Sequence, residues 1–591
     1  MTLPVPMRIS AAIFAAIGIW LTVQSPASPA DLSGIWASEQ SFGPLVKGTL
    51  KIDAHGNAWY GSIAGFDVPI AKDGSEIRFT VPGDRGEFRG RLAADRKSIA
   101  GHWIQPASRI FNQRYATPVT LTEMAPSVWQ GDVVPLEERL SFYISIRRMP
   151  DGAFSAMIRN PEFGWLNGRY QVEVQGSSIR LSSPTGQVNG TYDQASHRLL
   201  LNLVNGSPAP TALTQCSEDG ALGFFPRSTR ERADYRYSQP LRQNDGWPTA
   251  SLAEVELDPK LLTELVQSVL KADPNDAQAI PLHSLLIARH GKLVLEEYFH
   301  GFDRERTHNT RSAGKTLAPI LIGAVREHGA KVAPNTPIYS LFFQYKPFAN
   351  WDERKNRVTV EDIMTMTPGW DCDDNKASSP GGENNLQSRQ NDWYKYTLDL
   401  PMVRDPGGTV AIYCSASLNL VGGVAERAAG RWNAELFRDY IAVPLQFGNY
   451  HLNLMPTGSV YTGGGAEIRP RDALKLGQLY LSGGLWNGKR VISESWVRES
   501  TMNHSRFANR VVETDANHEY GYGWHIHTFV VGGHSYREYA AEGAGGQLVM
   551  VIPDLDLVVG INAGDYRSRN WYAWMLDVIP KYFIPAAASR H

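Results

Sequence analysis

The residues best spaced for chemistry are Ser312 and Lys315, in the run Ser312-Ala313-Gly314-Lys315. A serine hydroxyl is a weak nucleophile at neutral pH and needs a base positioned to take its proton. Residues three apart on a helix share a face, so Lys315 can reach Ser312 directly. The apolar spacing predicts a helix over 316–328, which puts the serine at a helix N-terminus, where free backbone N–H groups stabilise developing negative charge. A lysine has a reference pKa of about 10.4 and must be desolvated or crowded by cations to act as a base. Ser-x-x-Lys occurs by chance in long chains, and its plain alternative is an N-cap serine with a surface lysine. Gly314-Lys315-Thr316 also imitates the end of a phosphate-binding loop. That loop needs a glycine where Asn309 stands and a buried strand where 300–311 is polar and charged.

Two further segments follow in order. Tyr413, in the run 405–415 (DPGGTVAIYCS), is a phenol at the turn entering a predicted helix over 418–428, able to complete a proton relay with Lys315. Near the end, Glu542-Gly543-Ala544-Gly545-Gly546-Gln547 runs into the apolar strand 548–553, and a glycine-rich strand edge can present a backbone N–H to an oxyanion.

With these motifs in this order, residues 250–585 resemble the serine β-lactamase and penicillin-binding-protein superfamily. They look most like its esterase and 6-aminohexanoate-dimer hydrolase branch, related to class C β-lactamases. The likeness extends to 362–370 (DIMTMTPGW), 393–402 (WYKYTLDLPM) and the run GGQLVMVIPDLDLVV. It implies that Ser312 is the acylated nucleophile, Lys315 its base and Tyr413 the proton shuttle to the leaving group. The oxyanion would sit between the backbone N–H groups of Ser312 and Ala544. Two positions depart from the family pattern. Ser415 stands where Tyr-x-Asn has its asparagine, and Glu542-Gly543-Ala544 stands near where Lys-Thr-Gly would be. A glutamate there repels the substrate carboxylate that a lysine would hold. Ester or amide hydrolysis on a differently charged small molecule therefore fits better than D,D-peptidase or class C-type β-lactamase activity, the alternative within this chemistry. A non-catalytic binding protein on the same fold is the alternative of another class.

No cofactor and no metal are expected. His525 and His527 have a metal-ligand spacing on a strand, but no third ligand is evident, and Tyr522 and Trp524 suggest a sheet surface. The run 371–375 (DCDDN) mimics the start of a calcium loop, with Lys376 at the required glycine, and reads as a solvated loop near the cleft. Trp370 and Trp393 could line an apolar pocket. Three cysteines exclude a disulfide framework, yet Cys372 and Cys414, both in segments bordering the site, could pair in an oxidising compartment.

The elements that must position these groups divide the chain of 591 residues into an export signal, a β region and a mixed region. Residues 1–30 carry one charge, Arg8, then an apolar run of 15 residues over 9–23 and a small-residue cleavage site. That run is shorter than a membrane span, so the mature chain is expected to be periplasmic or secreted. From 31 to 226, short alternating strands with turns predict an all-β sandwich or barrel. An internal repeat pairs Trp36 with Trp129 and GSEIRF (74–79) with GSSIRL (176–181), which divides the region into 31–125 and 126–226. Contact with the cell envelope is one role open to these repeats, and a plain spacer is the other. Residues 227–250 are polar and read as a linker. From 251 to 591 the pattern turns to mixed α and β, with an amphipathic helix over 258–271 and a hairpin around His290-Gly291-Lys292. The fold class is therefore a multidomain chain: an all-β tandem repeat, then an α/β catalytic domain with an antiparallel sheet flanked by helices and a helical subdomain. With 58 Lys and Arg against 60 Asp and Glu, the net charge of −2 argues against nucleic-acid binding, which requires a basic face.

Overall fold

The computed structural model describes residues 31–110, 112–507, 518–568 and 570–588. The expected export signal, 1–30, lies outside them. Among the described residues no helix is long and apolar enough to cross a membrane.

Alternation of buried and exposed residues, as in Glu76–Thr80, builds two β units in the first 226 residues. The sheets do not divide where the repeats do. Strand Gly34–Phe42, from the first repeat, inserts between Glu138–Arg148 and Thr211–Cys216 and closes an eight-stranded barrel of the second. Strand Val128–Val133, from the second repeat, inserts between Gly48–His55 and Arg114–Ala125 of the first. Each repeat thus completes the other's sheet. The equivalent tryptophans anchor the exchange. Trp36 and Trp129 are fully buried, and their indole N–H groups donate to the carbonyls of Leu32 (2.9 Å) and Arg96 (2.8 Å). The expected boundary at 125/126 separates the repeats in sequence, but exchange crosses it because an unpaired strand edge needs a partner.

The first sheet continues into the rest of the molecule. Strand Tyr450–Leu454 pairs with it, placing Leu452 opposite Ala116 and Asn453 opposite Tyr115. The same strand pairs with Glu467–Ile468, which pairs with His308–Asn309. One backbone ladder therefore runs from the first β unit to three residues before Ser312. Within the expected linker, 227–250, Trp247 is buried and Asp245 accepts two bonds from Arg471 (2.8 and 3.2 Å).

The remainder is a nine-stranded sheet in the order 292–298, 282–289, 557–563, 547–552, 534–543, 525–531, 519–520, 505–507, 410–411, antiparallel except for its last pair. Helix Pro259–Lys271, capped by Asp258 with proline in its first turn, covers one face together with Asn570–Val578. The other face packs against Pro470–Leu481 and a helical layer holding Leu317–Glu327 and Ser415–Ala429.

Candidate active site

Ser312 stands on a 3₁₀ turn, Arg311–Thr316, that leads into helix Leu317–Glu327. In a 3₁₀ turn residues i and i+3 eclipse, so Lys315 lies directly over Ser312. Its Nζ donates to Ser312 Oγ at 3.0 Å. The turn is held from several sides. Arg311, just before the serine, takes a left-handed φ of 48°, its N–H bonded to Asn309 Oδ1 (2.9 Å) and its carbonyl to Gly465 N–H (3.0 Å). Two glycines allow the close approach: a Cβ on Gly464 would meet Arg311 O at 2.7 Å, and one on Gly543 would meet Thr310 O at 2.6 Å. Ser312 is half-buried and Lys315 is 2 % exposed.

Tyr413 joins this pair. The Lys315 Nζ lies 5.0 Å from the centre of its ring, and the phenol is among the groups that favour the charged lysine. The loop that follows Trp370 supplies a residue the sequence reading used only as a calcium-loop mimic. Asp374 Oδ2 accepts from both the N–H (2.9 Å) and the hydroxyl (2.6 Å) of Ser415, at the first turn of helix Ser415–Ala429. Ser415 therefore holds a carboxylate next to the lysine. A disulfide between Cys372 and Cys414 ties the Asp374 loop to the Tyr413 segment.

The electrostatics correct one expectation. Lys315 is desolvated, which alone would lower its pKa, but Tyr413, Glu383 and Asp374 outweigh burial and hold it above the ordinary lysine value. No crowding by cations is needed to explain the site, and the resting amine favours its proton. Burial pushes Asp374 up to about 6, against the opposing pull of Lys315 and its bonds to Ser415.

A cavity of about 320 Å³ opens over Ser312, walled by Gln113, Glu383, Asn453, Tyr461 and Ala544 among others. Ala544 is exposed at this wall. Gln113 was missed: it precedes strand Arg114–Ala125 of the first β unit, and its side chain accepts from Tyr115 Oη (3.3 Å). Only the pairing of that strand with Tyr450–Leu454 brings it here, so no local signal could have found it. Glu383 accepts from Tyr461 Oη (2.6 Å) and makes the wall acidic.

The other candidates fall elsewhere. Trp370 and Trp393 are buried in the main core rather than lining the cavity. Asp373 and Asp374 are engaged with Asn375 N–H and Ser415, and no calcium-type cluster forms around them among the described residues. His525 and His527 are buried, not on a sheet surface, and the third donors the sequence did not reveal are beside them: His518, His527 and Glu542 bring ligand atoms within 4.8 Å of one another.

The family model described as Beta-lactamase matches residues 262–566. A 6-aminohexanoate-dimer hydrolase of Paenarthrobacter ureafaciens is 25 % identical over 242 residues, 38 % of this chain and 58 % of that protein, so the match spans less than two thirds of the relative. A Bacillus anthracis protein provisionally described as a 6-aminohexanoate-dimer hydrolase superposes with a TM-score of 0.45 at 16 % identity, covering 64 % of this chain and 99 % of the other. A penicillin-binding-protein homologue of Caulobacter crescentus does so with 0.41 at 15 %, covering 52 % and 91 %.

Proposed function

Because this chain belongs to the beta-lactamase family, we propose that it is an exported serine hydrolase that cleaves an ester or amide bond of a small molecule through a Ser312 acyl-enzyme. The observation that carries this reading is the 3.0 Å contact between Lys315 Nζ and Ser312 Oγ under the Tyr413 ring. The active form is the one in which the Lys315–Tyr413 pair has lost a proton. As Ser312 Oγ attacks the carbonyl carbon, its proton passes to the neutral Lys315 amine, and the carbonyl oxygen becomes an oxyanion bound by the N–H groups of Ser312 and Ala544. The tetrahedral centre then expels the alcohol or amine, which takes that proton by way of Tyr413. Water attacks the acyl-enzyme, gives a proton to the same pair, and the acid leaves as Ser312 regains its hydrogen.

Glu383 on the cavity wall and Glu542 near the third-motif position argue for substrates that carry no carboxylate near the scissile bond. Hydrolysis of a short-chain p-nitrophenyl ester tests the proposal: Ser312→Ala should lower kcat by at least about 10³-fold. Mass spectrometry of the wild type with a slow acylating ester should show the adduct on Ser312. Equal rates for the two proteins would refute this assignment, and covalent labelling by a fluorescent penicillin would favour the peptidase alternative.

A further inference from the structure

We propose that His518, His527 and Glu542 form a divalent transition-metal site, suited to Zn²⁺, beside the cleft. Pairing of strands His525–Val531 and His534–Gly543 builds it. His527 stands opposite Glu538 and His525 opposite Ala540, so His525, His527, Glu538 and Glu542 share one face. Ala540 lies between the two glutamates along the strand, on the same face. His527 Nε2 lies 2.7 Å from Glu542 Oε1 and 3.8 Å from Glu538 Oε1. The ring of His518 crosses that of His527 at 88° with centres 4.7 Å apart, so the two imidazoles approach edge to face. His518 is itself oriented by His525, whose Nδ1 lies 2.6 Å from its Nε2.

All three proposed ligands are buried. Two neutral imidazoles and one carboxylate are the donor set of an open zinc site, and a buried set is less accessible to water than an exposed acidic cluster. Ligand atoms within 4.8 Å of one another need only side-chain rotation to close on an ion with bonds near 2.0–2.2 Å. The contact between His518 and His525 is the kind of outer bond that fixes a ligating ring. The site adjoins the catalytic groups. Glu542 is two residues before Ala544, and Phe507 packs against His518 (5.7 Å), His525 (5.9 Å) and Tyr413 (5.6 Å). A bound cation would reverse the sign of the charge that Glu542 places next to the cavity.

Metal binding tests this independently of hydrolysis. Full-length protein, stripped with chelator and titrated with Zn²⁺ alone, should retain about one equivalent after desalting, and Co²⁺ should give the visible d–d bands of a low-coordinate site. His527→Ala and Glu542→Gln should each weaken Zn²⁺ binding by at least about 100-fold. If either variant fails to fold, His518→Asn and imidazole-proton shifts in the Co²⁺-loaded wild type give the same readout. No Zn²⁺ uptake by the wild type at micromolar metal, or uptake that survives in the folded variants, overturns the proposal.

Discussion

The two β units each take a tryptophan strand from the other's segment, yet they meet the second half of the chain differently. The first joins it through backbone: its strand Arg114–Ala125 pairs with Tyr450–Leu454, and the ladder ends at Asn309. The barrel joins it through side chains, with Arg159 donating to the carbonyl of Asp276 (2.6 Å), Arg169 to that of Asn275 (3.0 Å) and Arg306 to Glu162 (3.1 Å). A ladder transmits displacement of one strand to its neighbour, whereas a few polar contacts can break singly. The first unit is therefore part of the active-site scaffold, and it also contributes Gln113 to the cavity wall.

The largest effect expected from this difference comes from cutting the ladder. Leu452→Pro removes an N–H and clashes within a paired strand, so ester hydrolysis should fall more than tenfold while the barrel remains folded, as read by limited proteolysis. Retained activity with a displaced first unit would break the comparison. Next come the exchanged tryptophans. Trp129→Ala and Trp36→Ala should each cost about 3–5 kcal/mol in their own sheet. Only Trp129→Ala should lower activity at temperatures where both proteins remain soluble; matching losses in both would mean that the barrel supports the cleft equally.

Asp374→Asn sharpens the contrast by perturbing a wall that belongs to neither β unit. Removing this anion makes the Lys315 ammonium less favoured, so the rising limb of kcat/KM should move to lower pH. The same carboxyl has a folded pKa of about 6, above its ordinary value of 3.8. The unfolded chain therefore ionises first, and this group's contribution to stability is lost as pH rises from about 4 to 6. Melting temperatures of the wild type should decline across that window relative to Asp374→Asn. The smallest effect is Gln113→Ala, which should raise KM about two- to tenfold with kcat nearly unchanged, as expected for one lost neutral hydrogen bond to substrate. An unchanged KM would leave the first unit a scaffold without substrate contact.

Much of the Ser312–Lys315–Tyr413 cluster was legible because the chemistry proposed for it requires particular residue types at short spacings. Ser312 and Lys315 lie three residues apart on one turn, and the phenol of Tyr413 precedes a helix that the apolar pattern announces. Asp374 was visible as a residue but not as a neighbour of Lys315, because a bond to Ser415 across 41 residues places it there. The histidines were half legible: His525 and His527 share a strand face by alternation, while His518 arrives from the residue before strand Glu519–Tyr520 and Glu542 from strand His534–Gly543.

Local order was decided by the amino-acid sequence itself: alternation that makes strands, Asp258 and Pro259 that start a helix, and an i, i+3 pair that puts an amine on a hydroxyl. Which strand completes which sheet, how a glutamine from the first β unit reaches the cavity, and the sign of the field around Lys315 were settled by tertiary structure alone. Backbone edges accept any strand of suitable shape, and Coulomb interactions depend on distances in space, so neither is encoded in spacing along the chain.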